Sequence, residues 1–224
     1  MANVVIVPGG WHGGCELTPF ARRLRALGHE VFTPTLTGLG ERAHLAVARP
    51  NLDTHILDVA NVLEFEDLSD VVLCGHSYAG LVITGVADRM AERISALVYI
   101  DAVVPEDGDS WWRLMNDYFR QIAIEGADGD GYTVRPPANM DPRCRPHPLA
   151  SFLQTIHLTG RWKGVREKLF VCATGWSDSP FPPTVARLRT LPDWRVEEMA
   201  TRHNIIAAEP DQFLTIMNTL DAMN

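Results

Sequence analysis

The chain has 224 residues, of which 46% are hydrophobic and 21% charged, a composition typical of a globular protein with one sizeable core. It carries 28 acidic and 20 basic residues, a formal net charge of -8. No net positive charge is therefore available to attract phosphate backbones or an anionic membrane surface, so we expect no nucleic-acid or membrane partner. The length predicts a single domain.

The N-terminal segment does not have the pattern of a signal peptide. Its apolar run lacks a basic leading region and is broken by Pro8 and the glycines that follow. No segment approaches the roughly 18 apolar residues that a membrane span needs. The four cysteines are scattered without metal-ligand spacing, which favours free thiols. We therefore expect a cytoplasmic protein without a metal site.

Short apolar runs rich in Val, Ile and Leu predict about six β-strands. They span residues 3–7, 29–33, 71–75, 96–101, 168–174 and 194–199. Helical patterns lie between most of them, for example the stripe of apolar residues Leu52, Ile56, Val59, Ala60 and Leu63. Strands that alternate with helices indicate an α/β fold with a doubly wound, mostly parallel sheet.

One region interrupts this alternation. Residues 105–167 contain aromatic-rich segments around a stretch rich in glycine and proline. Long insertions of this kind in an α/β domain are usually functional. We therefore expect a helical cap, inserted after the strand that ends at Asp101, to cover a site.

The segment "GHSYAG", residues 75–80, follows the third predicted strand and precedes a helix. A tight turn between a strand and a helix needs small residues on both sides, which Gly75 and Ala79 provide. This is the nucleophile-elbow pattern G-x-S-x-G with alanine in the last position. It predicts that Ser77 is a nucleophile at the carboxyl edge of the sheet, where open α/β sheets bind ligands.

A serine nucleophile needs a base and an acid that orients the base. In elbow hydrolases these follow in the order serine, acid, histidine. His203 comes after the last strand, where the base is expected. We predict Asp178, in the loop after the fifth strand, as the acid, with Asp101 as its competitor at the end of the fourth strand.

The oxyanion of a tetrahedral intermediate needs backbone N–H donors. One is expected from Tyr78, directly after the nucleophile. The loop "PGGWHGG", residues 8–14, is expected to provide the second from Gly10, with Trp11 as the neighbouring candidate. The loop lacks the G-x-G-x-x-G spacing of a dinucleotide site, so we expect no dinucleotide cofactor.

With these motifs in this order, the sequence resembles the α/β-hydrolase superfamily over essentially its whole length. More narrowly, it is similar to the small branch of plant methyl esterases and hydroxynitrile lyases and to their bacterial esterase relatives. The motif "DSPFP" matches that branch at Asp178, whereas Pro8 stands where histidine is usual. The chain starts directly at the strand before the oxyanion loop, so the leading hairpin of the superfamily is expected to be absent.

The resemblance implies a cofactor-free serine esterase that acts on a small ester or lactone through an acyl-enzyme. Two alternatives remain open at this point: a lyase that uses the same residues as acid and base, and a small-molecule receptor without activity. Lyases of this branch often carry a lysine after the histidine, where this chain has Asn204. The sequence leaves the oligomeric state open, including a homodimer.

Aromatic residues near the predicted site suit a small aromatic or hydrophobic substrate. The predicted pocket residues are Trp11, His12, Trp111, Trp112 and Tyr118, with Phe119 as a further aromatic candidate. The aromatic side chains could equally pack the cap against the core, and the sequence does not distinguish the two roles.

Overall fold

The computed structural model describes residues 1–127, 129 and 131–223. Asp128 and Asp130, which belong to the predicted insertion, lie outside the described residues, as does Asn224.

The six predicted strands are found close to the expected bounds, and two further short strands lie in the predicted insertion. The strands are β1 (Asn3–Val7), β2 (Glu30–Phe32), β3 (Val71–His76), β4 (Ile94–Ile100), β5 (Thr133–Val134), β6 (His147–Pro148), β7 (Glu167–Ala173) and β8 (Arg195–Met199). Six of them form a parallel sheet in the order β2-β1-β3-β4-β7-β8, and β5 pairs with β6 in a separate antiparallel ribbon. The predicted α/β fold class is confirmed.

Helices connect the strands. They are α1 (Thr18–Ala26), α2 (Leu52–Phe65), α3 (Ala79–Arg89), α4 (Trp111–Leu114), α5 (Asp117–Gly126), α6 (Leu149–Leu153), α7 (Pro182–Leu188), α8 (Ile205–Ala208) and α9 (Pro210–Met217). Local sequence explains their starts: Asn51 and Thr54 form a capping box before α2, and Pro210 occupies the first turn of α9. Short 3-10 segments cover Gly14–Leu17, Gly40–Ala48, Ala91–Arg93, Arg161–Gly164 and Asp221–Met223.

The sheet separates two apolar cores. Because side chains alternate along a strand, Val5 and Val7 of β1 face one core whereas Val4 and Ile6 face the other. Helices α2, α3 and α7 pack on the first face, and α1 and α9 pack on the second. The predicted stripe on α2 is buried along its whole length. Each large apolar side chain buried in this way contributes roughly 1.5–3 kcal/mol.

Residues 105–166, called the insertion below, connect β4 to β7. They contain α4, α5, α6 and the ribbon of β5 and β6. Buried side chains of the insertion, including Trp111 and Phe152, belong to the same apolar core as α2 and α3. The insertion is therefore packed against the face of the sheet that carries the elbow helix.

In the part of the chain that the structure describes, no helix is long and apolar enough to cross a membrane. The four cysteines are free thiols, and Cys74, Cys144 and Cys172 are buried.

The strand order reverses between β1 and β3, which are neighbours in the sheet although β2 lies between them in the chain. Ligands of open α/β sheets bind beside the carboxyl ends of the strands at such a switch point. The loop after β1 and the turn after β3 therefore meet where a binding site is expected.

Candidate functional site

Ser77 lies on the turn between β3 and α3. Its φ of 55° is in the left-handed region, which is uncommon for a residue other than glycine. The turn is tight enough that a Cβ atom on Gly80 would lie 1.9 Å from the Val103 carbonyl oxygen. Ala79 fits without exposure to solvent. The local sequence therefore forms the elbow that the pattern predicts and presents the Ser77 side chain at the sheet edge.

His203 follows β8 and reaches Ser77 across the edge of the sheet. Its Nε2 atom lies 2.9 Å from Ser77 Oγ. The ring of Trp176 packs against the imidazole with centroids 4.5 Å apart, and the Nε2–H of His76 donates to the His203 carbonyl oxygen. The structure thus brings together the predicted nucleophile and the predicted base.

The carboxylate that is hydrogen-bonded to His203 is that of Asp101, and the prediction that Asp178 lies in this position is wrong. Asp101 Oδ2 lies 2.7 Å from His203 Nδ1, and Asp101 Oδ1 accepts the Ala173 N–H at 3.1 Å. Asp178 is exposed at the edge of the cavity described below. Because β4 and β7 are adjacent, both strand ends lie near His203, and Asp101 is the one whose carboxyl points into the protein.

Burial shifts the pKa values of this pair in opposite directions. Desolvation raises the pKa of Asp101, while the Ala173 N–H and the nearby Trp176 indole lower it. Desolvation also lowers the pKa of His203, because an imidazolium ion is costly to bury. A neutral His203 whose Nδ1–H donates to Asp101 leaves Nε2 free to accept the Ser77 proton.

Gly10 and Tyr78, the predicted oxyanion donors, lie close to each other. A Cβ atom on Gly10 would lie 3.8 Å from Tyr78 Cβ, so the two segments are adjacent. Their amides have no acceptor among the described residues. The Tyr78 hydroxyl donates to Nδ1 of the buried His55 at 2.8 Å, a contact that the sequence did not reveal.

Trp11 does not have a free amide, so the prediction that it is an alternative oxyanion donor is wrong. Its backbone N–H donates to His147 Nδ1 at 3.1 Å. His147 lies in the insertion, 136 residues away, and no local sequence signal links the two residues.

A cavity of about 610 Å³ opens beside Ser77 and His203. Its apolar wall comes from the insertion and the loop after β7, and its members are Tyr118, Phe119, Ile122, Met140 and Trp176. Of the predicted pocket residues, Trp11, His12 and Tyr118 line the cavity. Trp111 and Trp112 do not: Trp111 is buried and stacks on Phe152 at 4.1 Å, so it packs the insertion instead.

The opposite wall of the cavity is polar. His12 Nδ1 lies 2.8 Å from the Gly10 carbonyl oxygen, and the Asn204 amide donates to Glu16 Oε1 at 2.6 Å. Burial raises the pKa of Glu16. Among the described residues, no group of three or more His, Cys, Asp or Glu side chains could hold a metal ion. One wall can therefore contact an aromatic group while the other offers hydrogen bonds.

The comparison with known proteins agrees with this architecture. A family model described as "Alpha/beta hydrolase family" matches residues 4–216. An enzyme named carbendazim hydrolyzing esterase, from Nocardioides sp. (strain SG-4G), is 38% identical, with 95% of this chain and 96% of that protein covered. A pyrethroid hydrolase from Sphingobium wenxiniae is 26% identical, with 48% and 38% covered.

Solved structures share the fold at low sequence identity. An extracellular α/β-hydrolase from a Paenibacillus species, described as a structural and functional homologue of tobacco salicylic acid binding protein 2, superimposes with a TM-score of 0.82. It is 22% identical, and the match covers 97% of this chain and 98% of that one. Polyneuridine aldehyde esterase gives a TM-score of 0.72 at 18% identity, covering 97% and 98%. The predicted resemblance to the α/β-hydrolase superfamily is confirmed by the family model, and these solved structures share its fold.

Proposed function

Because the chain belongs to the α/β hydrolase family and is an enzyme of the esterase type, we propose that Ser77, His203 and Asp101 hydrolyse a small carboxylic ester. The observation that carries the proposal is the chain of contacts from Ser77 Oγ through His203 to a fully buried carboxylate. The contacts end beside a cavity large enough for a small substrate.

In this mechanism, Ser77 Oγ attacks the ester carbonyl while its proton passes to His203 Nε2. Asp101 keeps the Nδ1–H in place and stabilises the imidazolium that forms. The Gly10 and Tyr78 amides bind the oxyanion. His203 then protonates the leaving alcohol, and a water molecule, deprotonated by the same imidazole, releases the acid and restores Ser77.

The apolar wall of the cavity favours an aromatic group in the substrate. Phe119 contacts Trp176 with ring centroids 5.8 Å apart, and both line the cavity. The relative that is 38% identical is named carbendazim hydrolyzing esterase, and this name supports an aromatic group because carbendazim is an aromatic compound. We propose a small aromatic ester rather than an aliphatic one.

The nucleophile is tested by intact mass after exposure to a fluorophosphonate, beside turnover of p-nitrophenyl acetate. The wild type is expected to gain one phosphonyl group and to release p-nitrophenol. Ser77→Ala is expected to do neither, while Ser177→Ala, which changes an exposed serine, should behave as the wild type. Turnover that survives in Ser77→Ala would refute the proposal.

The substrate class is tested with methyl esters of aromatic and aliphatic acids of similar length. We expect a higher kcat/KM for the aromatic esters, and Phe119→Leu should raise KM for them. Trp112→Leu is the matched control because Trp112 lies in the same insertion but does not line the cavity. Equal kcat/KM values for both ester classes would contradict the aromatic preference.

A further inference from the structure

Every hydrogen-bonding group of Trp11 is bound to the insertion. The backbone N–H donates to His147 Nδ1 at 3.1 Å, and the backbone carbonyl accepts from the Arg145 N–H at 3.0 Å. The indole N–H donates to the Val134 carbonyl oxygen at 2.9 Å. The loop after β1 is therefore held by a segment that lies more than 120 residues further along the chain.

Trp11 needs such support because its backbone conformation is strained. Its φ is 66°, in the left-handed region that bulky residues rarely adopt. A residue held there is strained and persists only when its surroundings determine its conformation. Gly10, the proposed oxyanion donor, directly precedes Trp11. A change in the backbone conformation of Trp11 therefore shifts the backbone of Gly10, including its N–H group.

His147 is arranged as a hydrogen-bond acceptor for this loop. A backbone N–H can only donate, so Nδ1 carries no proton and Nε2 does. Nε2–H then donates to Ser151 Oγ at 2.8 Å, and the Ser151 hydroxyl donates to the Pro148 carbonyl oxygen at 2.8 Å. The ring is fully buried and stacks on Phe152 at 4.1 Å with an interplanar angle of 6°.

Burial keeps this acceptor available. Desolvation, together with the neighbouring His55 and His12, holds the pKa of His147 well below its usual value. A protonated His147 would place an Nδ1–H against the Trp11 N–H, where two donors would face each other.

We propose that His147 is a positioning residue whose Nδ1 atom holds the Trp11 peptide, so that the adjacent Gly10 amide faces the oxyanion formed on Ser77. This inference rests on the proposed ester hydrolysis and adds a role for the insertion, which would complete the oxyanion site as well as cover the cavity. A purely structural His147 would need its ring for packing but not its Nδ1 lone pair.

The two roles are separated by His147→Phe and His147→Asn. Phenylalanine keeps a ring that can stack on Phe152 but has no acceptor, whereas the asparagine Oδ1 can accept near the position of Nδ1. We expect His147→Phe to lower kcat on p-nitrophenyl acetate by about 10–100-fold with little change in KM, somewhat less than removal of an oxyanion donor. His147→Asn should recover most of kcat.

The control is His157→Phe, which changes an exposed histidine of the same insertion and should leave kcat unchanged. Equal kcat losses in His147→Phe and His147→Asn would overturn the proposal, because packing alone would then account for both.

A second readout does not depend on activity. Hydrogen exchange of the Trp11 amide, followed by NMR, is expected to be slow in the wild type and in His147→Asn and at least tenfold faster in His147→Phe. Unchanged exchange in His147→Phe would also overturn the proposal. If wild-type protein neither reacts with a fluorophosphonate nor turns over esters, the proposed function fails, and the exchange rates still decide whether His147 holds the loop.

Discussion

The loops that follow β4 and β7 lie side by side at the carboxyl edge of the sheet, and each carries an aspartate. In the first loop Asp101 is completely buried, has a φ of 42°, and receives hydrogen bonds from Ala173 and His203. In the second loop Asp178 is exposed, and the Asn116 amide donates to its backbone carbonyl at 3.0 Å, while its carboxylate accepts no hydrogen bond from the described residues. Two aspartates at neighbouring strand ends therefore have very different environments.

The difference shows what makes a carboxylate able to orient a histidine. A buried carboxylate loses its hydration and therefore depends on the few N–H groups that face it. Its position is then fixed by those donors. An exposed carboxylate keeps its water, is free to rotate, and gains little from any one partner. In the proposed mechanism the loop after β4 therefore supplies the acid, and the loop after β7 contributes to the wall of the cavity.

The largest effect is expected on kcat, when each of the two aspartates is replaced by asparagine. In Asp101→Asn, the amide nitrogen would face His203 Nδ1 and favour the imidazole tautomer that cannot accept the Ser77 proton. We expect kcat to fall about 10³–10⁴-fold. Asp178→Asn, the matched control, should change kcat less than about threefold, in keeping with an exposed side chain. Steady-state kinetics on p-nitrophenyl acetate measures both, and the reverse order of effects would restore Asp178 as the acid.

The next largest effect is expected on stability, when glycines packed at the two loops are replaced by alanine. A Cβ atom on Gly80 would lie 1.9 Å from the carbonyl oxygen of Val103, in the loop after β4. On Gly175, in the loop after β7, it would lie 2.7 Å from the Thr201 carbonyl oxygen. We expect Gly80→Ala to lower the free energy of unfolding by about 3 kcal/mol or more and Gly175→Ala by less. Urea unfolding tests this, and equal losses would show that the two loops are packed alike.

A smaller effect is expected where the insertion contacts the loop after β7. Asn116 Oδ1 accepts the Phe119 N–H and caps α5, while its amide donates to the Asp178 carbonyl oxygen. Asn116→Ala removes both contacts and should cost about 1 kcal/mol of unfolding free energy. Asn116→Ser keeps a cap and should cost less than half of that. If the serine variant loses as much unfolding free energy as the alanine variant, the contact with Asp178 matters more than the cap.

The smallest expected effect concerns Trp176, which links the two loops. Its indole lowers the pKa of Asp101 without making a well-aligned hydrogen bond. Trp176→Phe should therefore raise the pKa of Asp101. Since activity needs the ionised carboxylate, the acid limb of the kcat/KM profile should move to higher pH, by about a few tenths of a unit. Trp194→Phe, at a tryptophan packed against Tyr99, is the control. A shift to lower pH would contradict the argument.

Local patterns in the sequence were enough to predict much of this protein. Continuous apolar runs predicted the strands of the parallel sheet, and the stripe on α2 predicted the buried face of that helix. The elbow around Ser77 and the position of His203 after the last strand were also readable, because each depends on neighbouring residues and on chain order. The small residues that a tight strand-to-helix turn requires are close neighbours of the turn residue in the sequence, so the sequence alone shows them.

The tertiary structure alone decided which groups are buried and which distant partners they meet. Asp101 and His203 are 102 residues apart, and Trp11 and His147 are 136 residues apart. The sequence placed an aspartate at each of two neighbouring strand ends, and it could not show which carboxyl turns inward. Nor could it show that the Trp11 amide is already bonded. Desolvation and hydrogen bonding are set by everything that packs around a group, and for these groups the packing partners come from remote parts of the chain.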